Sequence, residues 1–249
     1  MSGRNSSEET AVQLSWRRLL EVTAAIGAWG CLGGGLTAAS LAYADALTKE
    51  QRAKMTPEDI IAAMKKGNER FRKGERKDRN YLKEQKASAK GQYPAAIILS
   101  CIDSRAPAEV ILDLGIGDVF NARVAGNIQN DDILGSMEFA CKVAGAKVVV
   151  VMGHTSCGAI KGAIDSVQLG NLTGLLAKIR PAVDATTYSG ERTGKNLAFV
   201  DAVARKNVEL TMAQISEKSA VLKELQTTHA LVITGAMYNI ETAAVDFFS

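Results

Sequence analysis

The 249-residue chain carries 30 Lys and Arg against 27 Asp and Glu, a formal net charge of +3. So small an excess gives no electrostatic case for a nucleic-acid partner. A hydrophobic share of 47% with 23% charged residues excludes wholesale disorder and suffices for the core of one domain with arms.

Residues 1–21 are polar and end in Trp16-Arg17-Arg18-Leu19-Leu20-Glu21; an uncharged run follows from Val22 to Ala44. A basic pair, an apolar segment and the small-residue exit Ala42-Tyr43-Ala44 have the layout of an export signal. Arg17-Arg18 points to the twin-arginine route, and the five glycines of the apolar run suit its modest hydrophobicity. Trp16 and Glu21 depart from that pattern. Residues 1–44 are therefore expected to be an export signal cleaved after Ala44, delivering the protein to the periplasm. Two alternatives are a membrane anchor formed by residues 22–44 and a lipid-modified Cys31, for which Ala28 is a poor neighbour. In an oxidising compartment cysteines tend to pair, and metal ligation is one way to keep them from doing so.

Residues 45–94 read as an N-terminal helical arm. Thr56-Pro57-Glu58-Asp59 is a helix start, with a capping hydroxyl, Pro at the first helical position and acids in the first turn. Ile60, Ile61, Met64 and Phe71 form an apolar stripe at helical spacing, suited to packing on this core or on a partner subunit. The charge-dense stretch Glu75–Lys90 reads as a solvated helix or arm, with a polyanion site as the alternative.

Residues 95–249 alternate strands with helices. Strands are expected over Ala95–Leu99, Asp118–Val124, Lys147–Met152 and Ala230–Thr234. Helices are expected over Pro107–Leu114, Asp131–Ala144, from Gly158, over Asn171–Ile179 and over Asn196–Leu225; Ala125-Gly126-Asn127 is a tight turn. This alternation predicts an α/β fold with a mainly parallel central sheet covered by helices on both faces. Cys141 lies on the apolar side of its helix and reads as a buried structural thiol.

Two of the strands stop abruptly at reactive residues. The first delivers Cys101-Ile102-Asp103-Ser104-Arg105, and the third delivers His154-Thr155-Ser156-Cys157-Gly158. In open α/β sheets the carboxyl edge of the strands is where ligands bind. Two thiolates and one imidazole, from Cys101, Cys157 and His154, match a catalytic Zn2+ site with three protein ligands and one open position. Redox chemistry by the two cysteines lacks the C-x-x-C spacing. A purely structural zinc would need a fourth strong ligand and has no use for Asp103 and Arg105.

With these motifs the sequence resembles the β-class carbonic anhydrases. Arg123-Val124-Ala125-Gly126-Asn127, Gly67-Asn68-Glu69-Arg70-Phe71 and the block from Asn207-Val208 through Gly235 and Tyr238 add to the resemblance, which runs from about Thr56 to Phe247. It implies reversible hydration of carbon dioxide to bicarbonate and a proton by a zinc-bound hydroxide. The two thiolates neutralise Zn2+ formally, so the metal acidifies its water less than three imidazoles would, yet still near neutral pH. Asp103 would accept the hydroxide's hydrogen bond, and Arg105 would hold Asp103 ionised and oriented.

The resemblance also implies a substrate pocket of Gln92, Phe120, Phe139 and the Gly158 N–H, built partly across a dimer interface, so a homodimer or higher homo-oligomer is expected and the arm is expected to pack on the partner. Phe139 stands where the family usually has Tyr, which removes a pocket hydroxyl. Some relatives hydrolyse CS2 or COS at the same kind of site, which is the alternative substrate class. His229 is a candidate proton shuttle by scarcity alone. In some relatives the Asp swings onto the metal and closes the site, aided by a Trp and a Gly around the first strand. Here Ile98 and Ser100 occupy those positions, although Arg123 matches the arginine of that pocket. Asp103 is therefore expected to stay on Arg105 near neutral pH, leaving a water or hydroxide as fourth ligand.

Overall fold

The computed structural model describes residues 46–249; the expected export signal and its alternatives lie outside the described residues. Two helices lead into the core. Lys49–Lys54 (α1) and Pro57–Lys73 (α2) each start on a reciprocal capping box, from Thr48 with Gln51 and from Thr56 with Asp59. Such boxes satisfy donors that the first turn leaves free. Gly74, at φ 72°, ends α2 in the left-handed conformation that glycine adopts without penalty. The stripe on α2 is taken up within the chain: Ile60 and Met64 are buried against Ile111, Leu112 and Val148 rather than offered to a partner. Gly67 lets α2 approach so closely that a Cβ there would lie 1.9 Å from the carbonyl oxygen of Leu112. Beside it, buried Asn68 donates to the Ile111 and Ala243 carbonyls and accepts from the Val245 N–H.

The charge-dense stretch after α2 differs from expectation. It contains the helix Tyr81–Ser88 (α3), and much of its charge is turned inward. Arg70, Arg76 and Arg79 converge on Asp113, whose side chain is fully buried. Arg79 also reaches Glu84 at 3.2 Å and Asp118 at 3.9 Å. Burial pushes the Asp118 carboxyl up. Arg70, Arg76 and Arg79 thus serve three carboxylates of their own chain, while Lys83, Lys86 and Lys90 stay exposed.

The core is a five-stranded sheet in the order β2-β1-β3-β4-β5, with β1 Ala96–Ser100, β2 Val119–Arg123, β3 Val148–His154, β4 Val232–Tyr238 and β5 Val245–Phe248. The first four strands are parallel, and β5 joins β4 antiparallel. Every residue of β1 and β3 is buried, as parallel strands covered on both faces require. On one face Ile98, Val150 and Met152 meet α2 and the short helix Ala108–Ile111 (α4). On the other, Ile97, Leu99, Val149 and Val151 meet Met137, Val208, Ile215 and Leu222.

The remaining helices are α5 (Asp131–Glu138), which runs on as a single π turn over Phe139–Val143, then α6 (Gly158–Ile164), α7 (Gly170–Ala185), α8 (Leu197–Lys218) and α9 (Ala220–Thr227). The long helix expected over Asn196–Leu225 is thus two, divided at Ser219, whose hydroxyl caps α9 by accepting the Leu222 N–H. The last parallel strand starts two residues later than expected and runs four further, and β5 was not foreseen. Among the described residues no helix is long and apolar enough to cross a membrane.

Strand order places the site. From β1 the chain crosses to β2 on one side, then returns past β1 to β3 on the other. The carboxyl ends of β1 and β3 therefore flank the point where connections diverge, a crevice open to ligands. Cys101 follows β1, and His154 ends β3.

Candidate active site

Cys101, His154 and Cys157 are brought together, each at most 4% exposed. Their ligand atoms lie within 4.8 Å of one another, and the two sulfurs are 4.0 Å apart. Sulfurs at about 2.3 Å from a tetrahedral zinc would be roughly 3.8 Å apart, so the cluster already has the required size. The His154 ring is set for the same role. Its Nδ1 lies 2.9 Å from the Thr155 carbonyl oxygen, which can only accept, so Nδ1 carries the proton. Nε2 is left buried with its lone pair and no hydrogen-bond partner. An orphaned buried acceptor facing two thiols is the mark of a ligand set.

The thiols are electrostatically coupled. Cys101 is pulled down, first by the hydrogen bond that the Cys157 thiol donates to it and further by the Gly126 N–H. Cys157 is pushed up correspondingly, because its proton is held on the Cys101 sulfur. One thiolate forms readily, and a divalent cation between the sulfurs would release the second proton. Cys141, buried elsewhere on the sheet and raised to about 12 by burial, remains a structural thiol as expected.

Beside the cluster, Asp103 is tied to Arg105. The Asp103 Oδ1 accepts from the Arg105 backbone N–H at 2.9 Å and from Nε at 3.0 Å, while Oδ2 accepts from Nη2 at 2.8 Å. These bonds hold the carboxyl far below the usual carboxylate range. Oδ2 is also 3.8 Å from His154 Nε2, so the carboxylate borders the space the three ligand atoms enclose. Arg123, at the end of β2, donates to the carbonyls of Cys101 and Asp103 at 2.9 and 2.6 Å and fixes the turn between them. Gly158 opens α6 at the same edge, and a Cβ there would meet nothing within 4 Å.

Three expected pocket residues lie elsewhere in the chain. Gln92 is exposed ahead of the amino end of β1, and that five-residue strand spans roughly 16 Å before Cys101. Phe120 pairs in register with Ile97, three residues before the end of β1. Phe139 is 48% exposed and meets Phe120 edge to face at 6.1 Å. Sequence reasoning missed two supports on α8: Asp201, which accepts the Ser156 N–H, and Asn207, which donates to the Gly126 carbonyl. Asn207 had a signal in its family-like segment; Asp201 had none.

Comparison with known proteins agrees with this geometry. The carbonic anhydrase family model matches residues 96–245. Carbonic anhydrase 2 of Mycobacterium tuberculosis is 36% identical over 183 residues, covering 72% of this chain and 86% of its own. Among solved structures, the β-carbonic anhydrase CafA of Aspergillus fumigatus superposes with a TM-score of 0.60 at 27% identity, covering 77% of this chain and 90% of that one. A structure from the work on two tetrameric β-carbonic anhydrases of Sordaria macrospora gives a TM-score of 0.56 at 25% identity, covering 64% and 82%.

Proposed function

Because the chain belongs to the carbonic anhydrase family, in its β class, we propose that Cys101, His154 and Cys157 hold Zn2+ and that the protein hydrates carbon dioxide reversibly to bicarbonate and a proton. The observation that carries this reading is the convergence of two thiols and an unpartnered imidazole nitrogen within 4.8 Å, beside an ionised carboxylate at the switch point of the sheet. Bound there, zinc supplies the acidity that makes water a nucleophile near neutral pH.

The chain's own residues do the rest. Asp103, kept ionised by Arg105, can only accept hydrogen bonds, so it orients the attacking oxygen by taking its proton as a hydrogen bond and leaves the oxygen lone pair free for carbon. Arg105, by filling both Asp103 oxygens from one side, keeps the carboxylate off the ligand cluster. The Gly158 N–H, on an edge with room beside it, serves as donor to the substrate oxygen. Gln92, Phe120 and Phe139, which lie away from the cluster of their own chain, complete the pocket of a second copy. That arrangement requires a homodimer or higher homo-oligomer, in keeping with the tetrameric relatives. Export with cleavage after Ala44 to the periplasm remains part of the proposal.

Zinc analysis together with stopped-flow carbon dioxide hydration tests the reading. About one zinc per chain and hydration well above the buffer rate are expected. Hydrolysis of CS2 or COS without carbon dioxide hydration would select the alternative substrate class instead.

A further inference from the structure

Helix α8 sends two polar side chains out of its packing face to the turns that carry the ligands. Its buried positions are apolar, among them Phe199, Val203, Val208 and Ile215, apart from Asn207 and Thr211. Asp201 Oδ1 accepts the Ser156 N–H at 2.8 Å. Ser156 lies between His154 and Cys157 at φ 55°, a conformation that a residue other than glycine keeps only when its surroundings hold it. Asn207, 3% exposed, donates Nδ2 to the Gly126 carbonyl at 2.8 Å. Gly126 in turn donates its N–H to the Cys101 sulfur at 3.3 Å. Gly126 sits at φ 70°, and a Cβ there would lie 2.5 Å from Ile179 Cδ1, so this contact needs both glycine and an anchor.

We propose that Asp201 and Asn207 are positioning residues of the metal centre: Asp201 fixes the turn that spaces His154 from Cys157, and Asn207 fixes the N–H that rests on the Cys101 sulfur. Outer partners of this kind orient the ligands, and an N–H on a thiolate withdraws charge that the sulfur would otherwise give to the metal. One helix thereby sets both the geometry of the ligands and the donor strength of one of them. The inference rests on the reading of the cluster as a zinc site, which the zinc content of the unaltered protein tests separately.

The test compares Asp201→Ala and Asn207→Ala with Asp201→Asn, which keeps an acceptor oxygen, and with Ile215→Val, a packing change on the same helix. Zinc affinity is read by competition with a chromophoric chelator, and the sulfur-to-metal charge-transfer band is read in cobalt-substituted protein. Both alanine variants are expected to bind zinc about 10–100-fold more weakly, the lost placement of the ligand outweighing in Asn207→Ala the charge its freed sulfur can give, and Asp201→Asn close to the unaltered protein. Asn207→Ala should also move the band to lower energy, because the sulfur has lost its donor. Ile215→Val should lower the unfolding temperature and move neither readout. Unchanged affinity and band in both alanine variants, or equal changes in Ile215→Val, would overturn the proposal. Should the alanine variants not fold, the unaltered protein loaded with a spin-half cadmium isotope decides. A scalar coupling between the Gly126 amide proton and the metal is expected, and its absence overturns the assignment.

Discussion

Arg105 grips Asp103 on both carboxylate oxygens, through Nε on Oδ1 at 3.0 Å and Nη2 on Oδ2 at 2.8 Å, with its own backbone N–H added to Oδ1. The fork geometry fixes the plane of the carboxylate as well as its charge, which a lysine there would not do.

Asp103→Asn should therefore keep zinc and lose hydration by about two orders of magnitude or more, since the oriented acceptor is gone while the three ligands stay. The same pair has a pH signature. A carboxylate held below its ordinary value contributes stability that is fully present above about pH 4 and is lost as pH falls through the folded value. The unfolding-temperature gap between the unaltered protein and Asp103→Asn should thus be constant above pH 4 and close in stronger acid. A gap that widens on acidification would contradict the assignment.

A pocket shared between subunits predicts complementation. Cys157→Ala lacks a metal ligand but retains Gln92 and Phe120; Gln92→Ala retains the ligands but not the amide. Mixed and reassociated, the two should regain activity at sites that take metal from one variant and Gln92 from the other. Activity in the mixture no higher than the sum of the separate variants would place Gln92 outside the pocket.

The inward-facing charges near the start of the domain make a prediction about stability alone. Arg79, 3% exposed at its side chain, balances Glu84, Asp113 and Asp118. Arg79→Ala should cost about 3–5 kcal/mol in denaturant unfolding, because it strands buried carboxylates. Arg180→Ala, at an exposed pair with Asp184, should cost less than about 1 kcal/mol. Similar losses in the two variants would show that the inner cluster is solvated.

Export is checked by mass. Protein recovered from the periplasm should begin at Asp45; a membrane-bound chain that retains Met1 would favour the anchor formed by residues 22–44.

The parallel sheet and the metal ligands were legible because each is a local pattern. Apolar runs buried on both faces mark β1 and β3, and their abrupt ends mark Cys101 and His154. What stayed hidden depends on partners distant in sequence. β5 is a four-residue edge strand of ordinary composition, recognisable only by its pairing with Gly235–Tyr238. The inward turn of Arg79 depends on carboxylates at 84, 113 and 118, and Asp201 matters only because α8 packs beside the turn at Ser156. Gln92, Phe120 and Phe139 were expected in the pocket from family resemblance alone, and their distance from the cluster of their own chain follows from strand geometry, with no trace in their local sequence.

Adding zinc stepwise to metal-free protein while following carbon dioxide hydration tests the central claim most directly. The account predicts that activity rises linearly and saturates at one zinc per chain, and that Cys157→Ala neither retains the metal nor gains activity at any ratio. Zinc-replete protein that hydrates carbon dioxide no faster than buffer, or Cys157→Ala that holds a full equivalent of zinc, would contradict it.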